Sequence, residues 1–139
     1  MEKRKGFNMA RPHHGLRVWQ DAVRLVADVY RLTADFPADE RFGLVSQMRR
    51  AAVSVPSNIA EGAARGTQKE FLQFLYIARG SLSELETQLK VASMLGLCEV
   101  HTQLESVETL FAILGGLIKT LRGGTQRSID PLQAAHAAD

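Results

Sequence analysis

Phe71, Leu75, Ala78, Leu82, Leu85, Leu89 and Ala92 recur in alternating steps of four and three residues. That spacing lines them up along one side of a helix, as in the seam of a coiled-coil-like bundle. It predicts a helix from Gln68 to about Leu95, extending roughly 42 Å at ~1.5 Å per residue. Gly80 and Ser81 sit in the middle of it, where they cost stability; a close approach of another backbone at that level would explain them. Arg79, Glu84 and Glu86 fall on the polar faces.

Three more amphipathic stretches surround this one. Leu16 or Arg17 to Asp35 reads as a first helix, stopped by Pro37, which disfavours helical geometry at Phe36. It carries two stripes: Trp19, Ala22, Val23, Val26 and Tyr30 form one, and Val18, Leu25, Val29 and Leu32 form the other. Two stripes exceed what one bundle core requires, so the second side calls for self-association. A second helix should begin between Asp39 and Phe42 and reach about Arg65, burying Leu44, Met48, Ala52, Val55, Ile59 and Ala63. Pro56 interrupts it. Proline offers no N–H to the carbonyl of Ala52 and crowds it, which predicts a kink, with Ser54, Ser57 and Asn58 available to the freed backbone groups. Gly66 stops the helix, and Thr67-Gln-Lys-Glu70 reads as a capping box, so the turn is short and the second and third helices form an antiparallel hairpin.

The fourth helix should start between Glu99 and Gln103, with Thr102-Gln-Leu-Glu105 as a second capping box. Leu104, Val107, Phe111, Leu114, Ile118 and Leu121 repeat the seam, Leu110 and Leu117 widen it, and Gly123-Gly124 ends it. The expected architecture is all-α: an antiparallel up-down-up-down four-helix bundle over residues 16–122 with a kinked second helix, assembling as a homo-oligomer. Residues 1–15 should be a flexible basic arm and residues 123–139 a disordered tail.

Several chemistries are absent. A di-iron bundle needs Glu-x-x-His pairs, but Ala64 follows Glu61 at that spacing, Gln73 follows Glu70 and Glu108 follows Glu105. There is no P-loop, dinucleotide fingerprint or zinc-binding histidine pair; His13 and His14 are adjacent rather than one turn apart. Cys98 and His101 could in principle form an activated thiolate, but no third group accompanies them, and a half-buried structural cysteine is the simpler reading. No catalytic residue, metal or cofactor is expected. A single cysteine suits a reducing compartment, no secretory leader or membrane span is visible, and a cytoplasmic protein is expected. The net charge of +2 selects no partner by itself, but the first seventeen residues carry Lys3, Arg4, Lys5, Arg11 and Arg17 against Glu2 alone.

Three stretches carry a resemblance. Gln47-Met-Arg-Arg-Ala-Ala, Ser54-Val-Pro-Ser-Asn-Ile-Ala-Glu-Gly62 and Glu70-Phe-Leu-Gln-Phe-Leu-Tyr-Ile-Ala-Arg-Gly-Ser-Leu-Ser-Glu84 occur in order at the spacing of the family named after proteins encoded in 23S rRNA intervening sequences. The resemblance runs from about Leu16 to Leu121 and includes Trp19, Phe36-Pro37 and Glu40-Arg-Phe-Gly-Leu44. It implies four-helix protomers in a homopentameric ring, with Pro56, Asn58, Glu61, Gly62 and Gly80 as motif positions. The accessory protein of diversity-generating retroelements, which works with a reverse transcriptase and nucleic acid, is distantly similar in fold.

Two readings follow. In the first, a ring presents Arg41, Arg49, Arg50, Arg65 and Lys69 repeatedly, and this basic surface holds RNA or DNA without sequence specificity. In the second, the oligomer is structural or binds another protein, and its arginines pair with carboxylates within and between subunits, Asp21, Asp28, Glu84 and Glu86 being available.

Overall fold

The computed structural model describes residues 11–123. Among them are four α-helices and no strand. We label the helices α1 (Arg17–Thr33), α2 (Ser46–Ala63), α3 (Gln68–Met94) and α4 (His101–Gly123). The basic residues Lys3, Arg4 and Lys5 and the tail beyond Gly123 lie outside the described residues.

All seven seam positions of α3 are fully buried, from Phe71 to Ala92. They meet Met48, Ala52, Val55 and Ile59 of α2, Val18, Leu25 and Val29 of α1, and Val107, Leu114, Leu117, Ile118 and Leu121 of α4 in one hydrophobic cluster. Each helix packs mainly on its neighbours in sequence, and α1 also packs on α4, closing the cycle. The direction of the central pair is plain from side-chain contacts. Ser54 of α2 bonds Ser81 of α3, whereas Gly62, eight residues further along α2, lies against Phe74 of α3. One residue number rises as the other falls, so α2 and α3 are antiparallel. Thr67 caps the start of α3, its hydroxyl accepting from the Glu70 N–H at 3.2 Å.

Several expectations need correction. The second helix does not start at residues 39–42. Ala38–Glu40 form a 3-10 turn and Arg41–Val45 a π-turn. Gly43 has non-helical backbone angles there, and the Glu40 carboxylate accepts the Leu44 N–H at 3.1 Å, so the regular helix begins only at Ser46. Thr102 is no cap, because α4 already begins at His101 and the Leu104 N–H bonds the Val100 carbonyl. His101 instead pairs with Glu105 at 2.8 Å. Ile113, not assigned to any stripe, is buried in α4. Ahead of α1, Pro12–Gly15 form a 3-10 turn in which His14 accepts the Arg11 N–H and His13 stacks edge-on to Trp19 at 4.8 Å.

The close approach expected at Gly80 is not found there. A Cβ on Gly80 would meet nothing within 4 Å, so no backbone approaches it within the protomer. A Cβ on Gly62 would lie 2.5 Å from Phe74 Cβ and 3.1 Å from Phe71 Cδ1. The close approach that needs a missing side chain is therefore at Gly62, where α3 packs against α2 through Phe71 and Phe74.

Candidate functional site

Pro56 is buried in the interior of α2, which continues on both sides of it. Asn58 faces the turn before it: its Nδ2 donates to the Ser54 carbonyl at 2.8 Å and to Ser54 Oγ at 2.9 Å. Ser54 Oγ lies 2.8 Å from Ser81 Oγ on α3. The polar residues around Pro56 thus join into one link across the α2–α3 interface. The Asn58 amide reaches Ser54, not the Ala52 carbonyl that Pro56 leaves without an amide donor. Glu61 pairs with Arg65 at 3.2 Å, one turn away on an exposed face, a pair worth little by itself.

Of the five basic candidates, two are held by the protomer. Arg49 Nε donates to Thr33 Oγ1 at 2.9 Å and its Nη2 to the Tyr30 carbonyl at 3.4 Å, and its guanidinium stacks 4.4 Å from the Tyr30 ring centroid. It closes the C-terminal end of α1, where unpaired carbonyls and the helix dipole favour a cation. Arg65 lies over the Phe74 ring at 5.0 Å besides pairing with Glu61. Arg41, Arg50 and Lys69 are exposed and make no ion pair or hydrogen bond among the described residues.

The five do not converge on one patch. Arg41 lies in the π-turn before α2 and Arg49 and Arg50 in its first turns, Arg65 lies in the α2–α3 turn and Lys69 at the start of α3, and the 18 residues of α2 span about 27 Å. Arg41 and Arg49 do meet, at a recess of about 300 Å³ lined also by Thr33, Phe36, Pro37 and Val45. Nothing local in the sequence announces this place. Arg49 reaches Thr33 sixteen residues back, and Arg41 is turned there by the irregular backbone before α2.

Exposed apolar side chains are spread over α1, the turn before α2, α2 and α3. On α1, the Val18, Leu25, Val29 stripe is buried, while Val23 and Tyr30 of the other stripe are each 42% exposed and Trp19 and Val26 only half-buried. Phe42 is 89% exposed and Met94 88%.

A family model for the 23S rRNA-intervening sequence protein matches residues 14–120. The chain belongs to this family. The match covers all four helices almost to the end of α4, together with the Pro56 link, the Gly62 contact and the Arg41–Arg49 recess. A comparison with curated proteins finds none that matches the chain.

Away from these basic residues, Cys98 and His13 are held off their ordinary protonation balance. Burial, and secondarily the Glu99 charge, push the Cys98 thiol above its ordinary range, the opposite of what a nucleophile needs. Its neighbour His101 is committed to Glu105. Burial, then His14 and Arg11, hold His13 below the ordinary histidine range. No group of three metal-binding side chains occurs among the described residues, and no helix there is long and apolar enough to cross a membrane.

Proposed function

We propose that this member of the 23S rRNA-intervening sequence family is a non-catalytic, cytoplasmic, homo-oligomeric scaffold built from antiparallel up-down-up-down four-helix protomers. The observation that carries this reading is the second stripe of α1. Trp19, Val23, Val26 and Tyr30 remain partly or largely open in the protomer although they continue an apolar helix face. Covering that face with another copy removes it from water at about 25 cal/mol per Å². The family resemblance points to a homopentamer.

A ring would repeat Arg41, Arg50 and Lys69, the three basic candidates that make no ion pair or hydrogen bond among the described residues. In one protomer they are scattered; in a ring each becomes a belt, able to hold the phosphates of RNA or DNA by charge with little regard to sequence. Arg49 and Arg65 favour the competing reading, in which arginines serve packing and the oligomer carries no nucleic acid or binds a protein partner, because both are engaged inside the protomer.

Mass measurement by light scattering on the wild type and on Val23→Glu with Tyr30→Glu tests the assembly. An oligomer that falls to a folded monomer in the variant supports the assigned face; an unchanged mass rejects it. Binding of RNA and single-stranded DNA across a salt series then separates the two readings. Affinity falling log-linearly, with a slope of about −0.7 per phosphate neutralised, supports the basic belt. An intact oligomer that binds neither at low salt leaves the structural reading.

A further inference from the structure

The recess between the end of α1 and the start of α2 has an unusual balance of charge. Two guanidinium groups line it, Arg41 and Arg49, and no carboxylate does. Three acids adjoin the lining in sequence without belonging to it, Asp35, Asp39 and Glu40, and Glu40 has its Oε2 engaged by the Leu44 N–H at 3.1 Å. The two arginines differ in a useful way. Arg49 is fixed, with Nε on Thr33 and Nη2 on the Tyr30 carbonyl, which leaves its Nη1 without a partner among the described residues. Thr33 is fixed in turn, its hydroxyl donating to the Val29 carbonyl at 2.8 Å. Arg41 is exposed and makes only a distant contact, 6.0 Å to the Phe42 ring centroid. One cation is therefore preorganised and the other can swing onto a ligand. Phe36, Pro37 and Val45 supply apolar walls, beside which charge attraction is stronger than in open water.

We propose that this recess binds a phosphomonoester dianion, clamped between Arg49 at its wall and Arg41 at its mouth. Charge selects the class: two cations without a lining acid are balanced by a dianion, whereas a carboxylate or a phosphodiester brings one negative charge. Shape agrees, because a monoester is unsubstituted on one side and enters end-on, while a backbone diester carries a sugar on both sides. Planar guanidinium forks suit phosphate oxygens. The inference deepens the nucleic-acid reading by naming a terminal phosphate as the entering group, and rests on that reading only for the source of the phosphate.

The test is titration of the full chain with inorganic phosphate, then with acetate, then with one short single-stranded RNA carrying either a 5′-phosphate or a 5′-hydroxyl. The readout is the NMR signals of the arginine Nε–Hε groups and of the backbone amides from Ala38 to Val45. The expected result is a saturable shift at Arg49 with inorganic phosphate, weaker by about tenfold in Arg41→Gln and largely restored in Arg41→Lys. Acetate should bind about tenfold more weakly than phosphate. Phosphate shifts that never saturate, equal affinity in Arg41→Gln, or acetate binding as strong as phosphate would each overturn the proposal. Displacement of inorganic phosphate by the 5′-phosphorylated RNA alone identifies a nucleic-acid end as the source. Phosphate binding with no competition from either RNA supports the recess with a small phosphomonoester as its ligand, and removes a nucleic-acid end as the source of the phosphate. Equal binding of both RNAs with no phosphate effect at the recess overturns the recess and leaves the basic belt standing.

Discussion

Replacing Gly62 by alanine should destabilise the protein by an amount that can be worked from the α2–α3 contact. The new Cβ would sit 2.5 Å from Phe74 Cβ, 3.1 Å from Phe71 Cδ1 and 3.2 Å from Phe74 Cγ. Carbon atoms in contact rest about 3.5–4.0 Å apart, so the helices must separate by about 1 Å locally. Phe71 is wholly buried and cannot step aside into solvent. Overpacking of this kind costs about 1–3 kcal/mol. The opposing term is the helix preference of alanine over glycine, about 1 kcal/mol. Because the nearest atom is a Cβ anchored to backbone, the upper part of the range applies and the net loss is about 2 kcal/mol. At about 4 °C per kcal/mol for a domain of this size, Tm should fall by roughly 8 °C. The assay is thermal and urea unfolding followed by circular dichroism at one protein concentration, since the stability of the proposed oligomer would depend on concentration. Gly80→Ala is the matched control. It has open space and the same propensity gain, so it should raise protomer stability by up to about 1 kcal/mol. Phe74→Ala should not rescue Gly62→Ala, because alanine keeps the Cβ that clashes. A Gly62→Ala protein as stable as the wild type would refute the reasoning.

Arg49→Ala should lose about 1–3 kcal/mol in urea unfolding, since it removes two hydrogen bonds and a ring contact at the end of α1, while Arg50→Ala should lie within about 0.5 kcal/mol of wild type. His13 is favoured neutral in the fold, so its contribution is present above the usual histidine range and fades as pH falls below about 6.5. Acidification should therefore loosen the His13–Trp19 stack and change the fluorescence of the single tryptophan, and His13→Ala should flatten that transition. The Cys98 thiol is favoured protonated in the fold, so alkylation by iodoacetamide should be slower than for a free cysteine at pH 8, and stability should decline as pH rises beyond about 9. Alkylation at the rate of a free thiol would contradict that assignment.

The parts of the fold legible in the sequence are those where periodicity alone decides burial. The α3 seam was readable residue by residue because seven positions share one spacing, and all seven are buried. Where local chemistry competes with periodicity, the pattern misleads. The apolar series on α2 can be extended back to Leu44, but the Glu40 carboxylate and the backbone at Gly43 divert the chain into a π-turn first. Thr102 has the composition of a cap, yet the helix starts one residue before it. A glycine in a helix signals close approach only if another element is there. The sequence marks Gly62 and Gly80 alike, and only the path of α3 distinguishes them. The recess was hidden for a similar reason: Arg49 stands in an arginine pair that reads as surface charge, and its link to Thr33 depends on how α1 and α2 dock.

The polar link around Pro56 has a consequence for the proposed assembly. Ser54, Asn58 and Ser81 meet at one level of the α2–α3 interface, and Gly62 receives Phe74 eight residues further on, about 12 Å along the axis. Sliding one helix by a turn would place Ala78 or Leu85 opposite the Ser54 hydroxyl, and the slip towards Ala78 would also bring Ile59, with its Cβ and branched side chain, against Phe74. Either slip takes from Ser81 its partner across the interface, and the slip towards Ala78 adds a steric clash, so the observed register is favoured over its neighbours. Closed rings tolerate very little variation among their members, because a small error in each protomer accumulates around the circle and prevents the last interface from meeting the first. A hairpin indexed twice along its length, once by hydrogen bonds and once by shape, makes every copy the same length and the same twist.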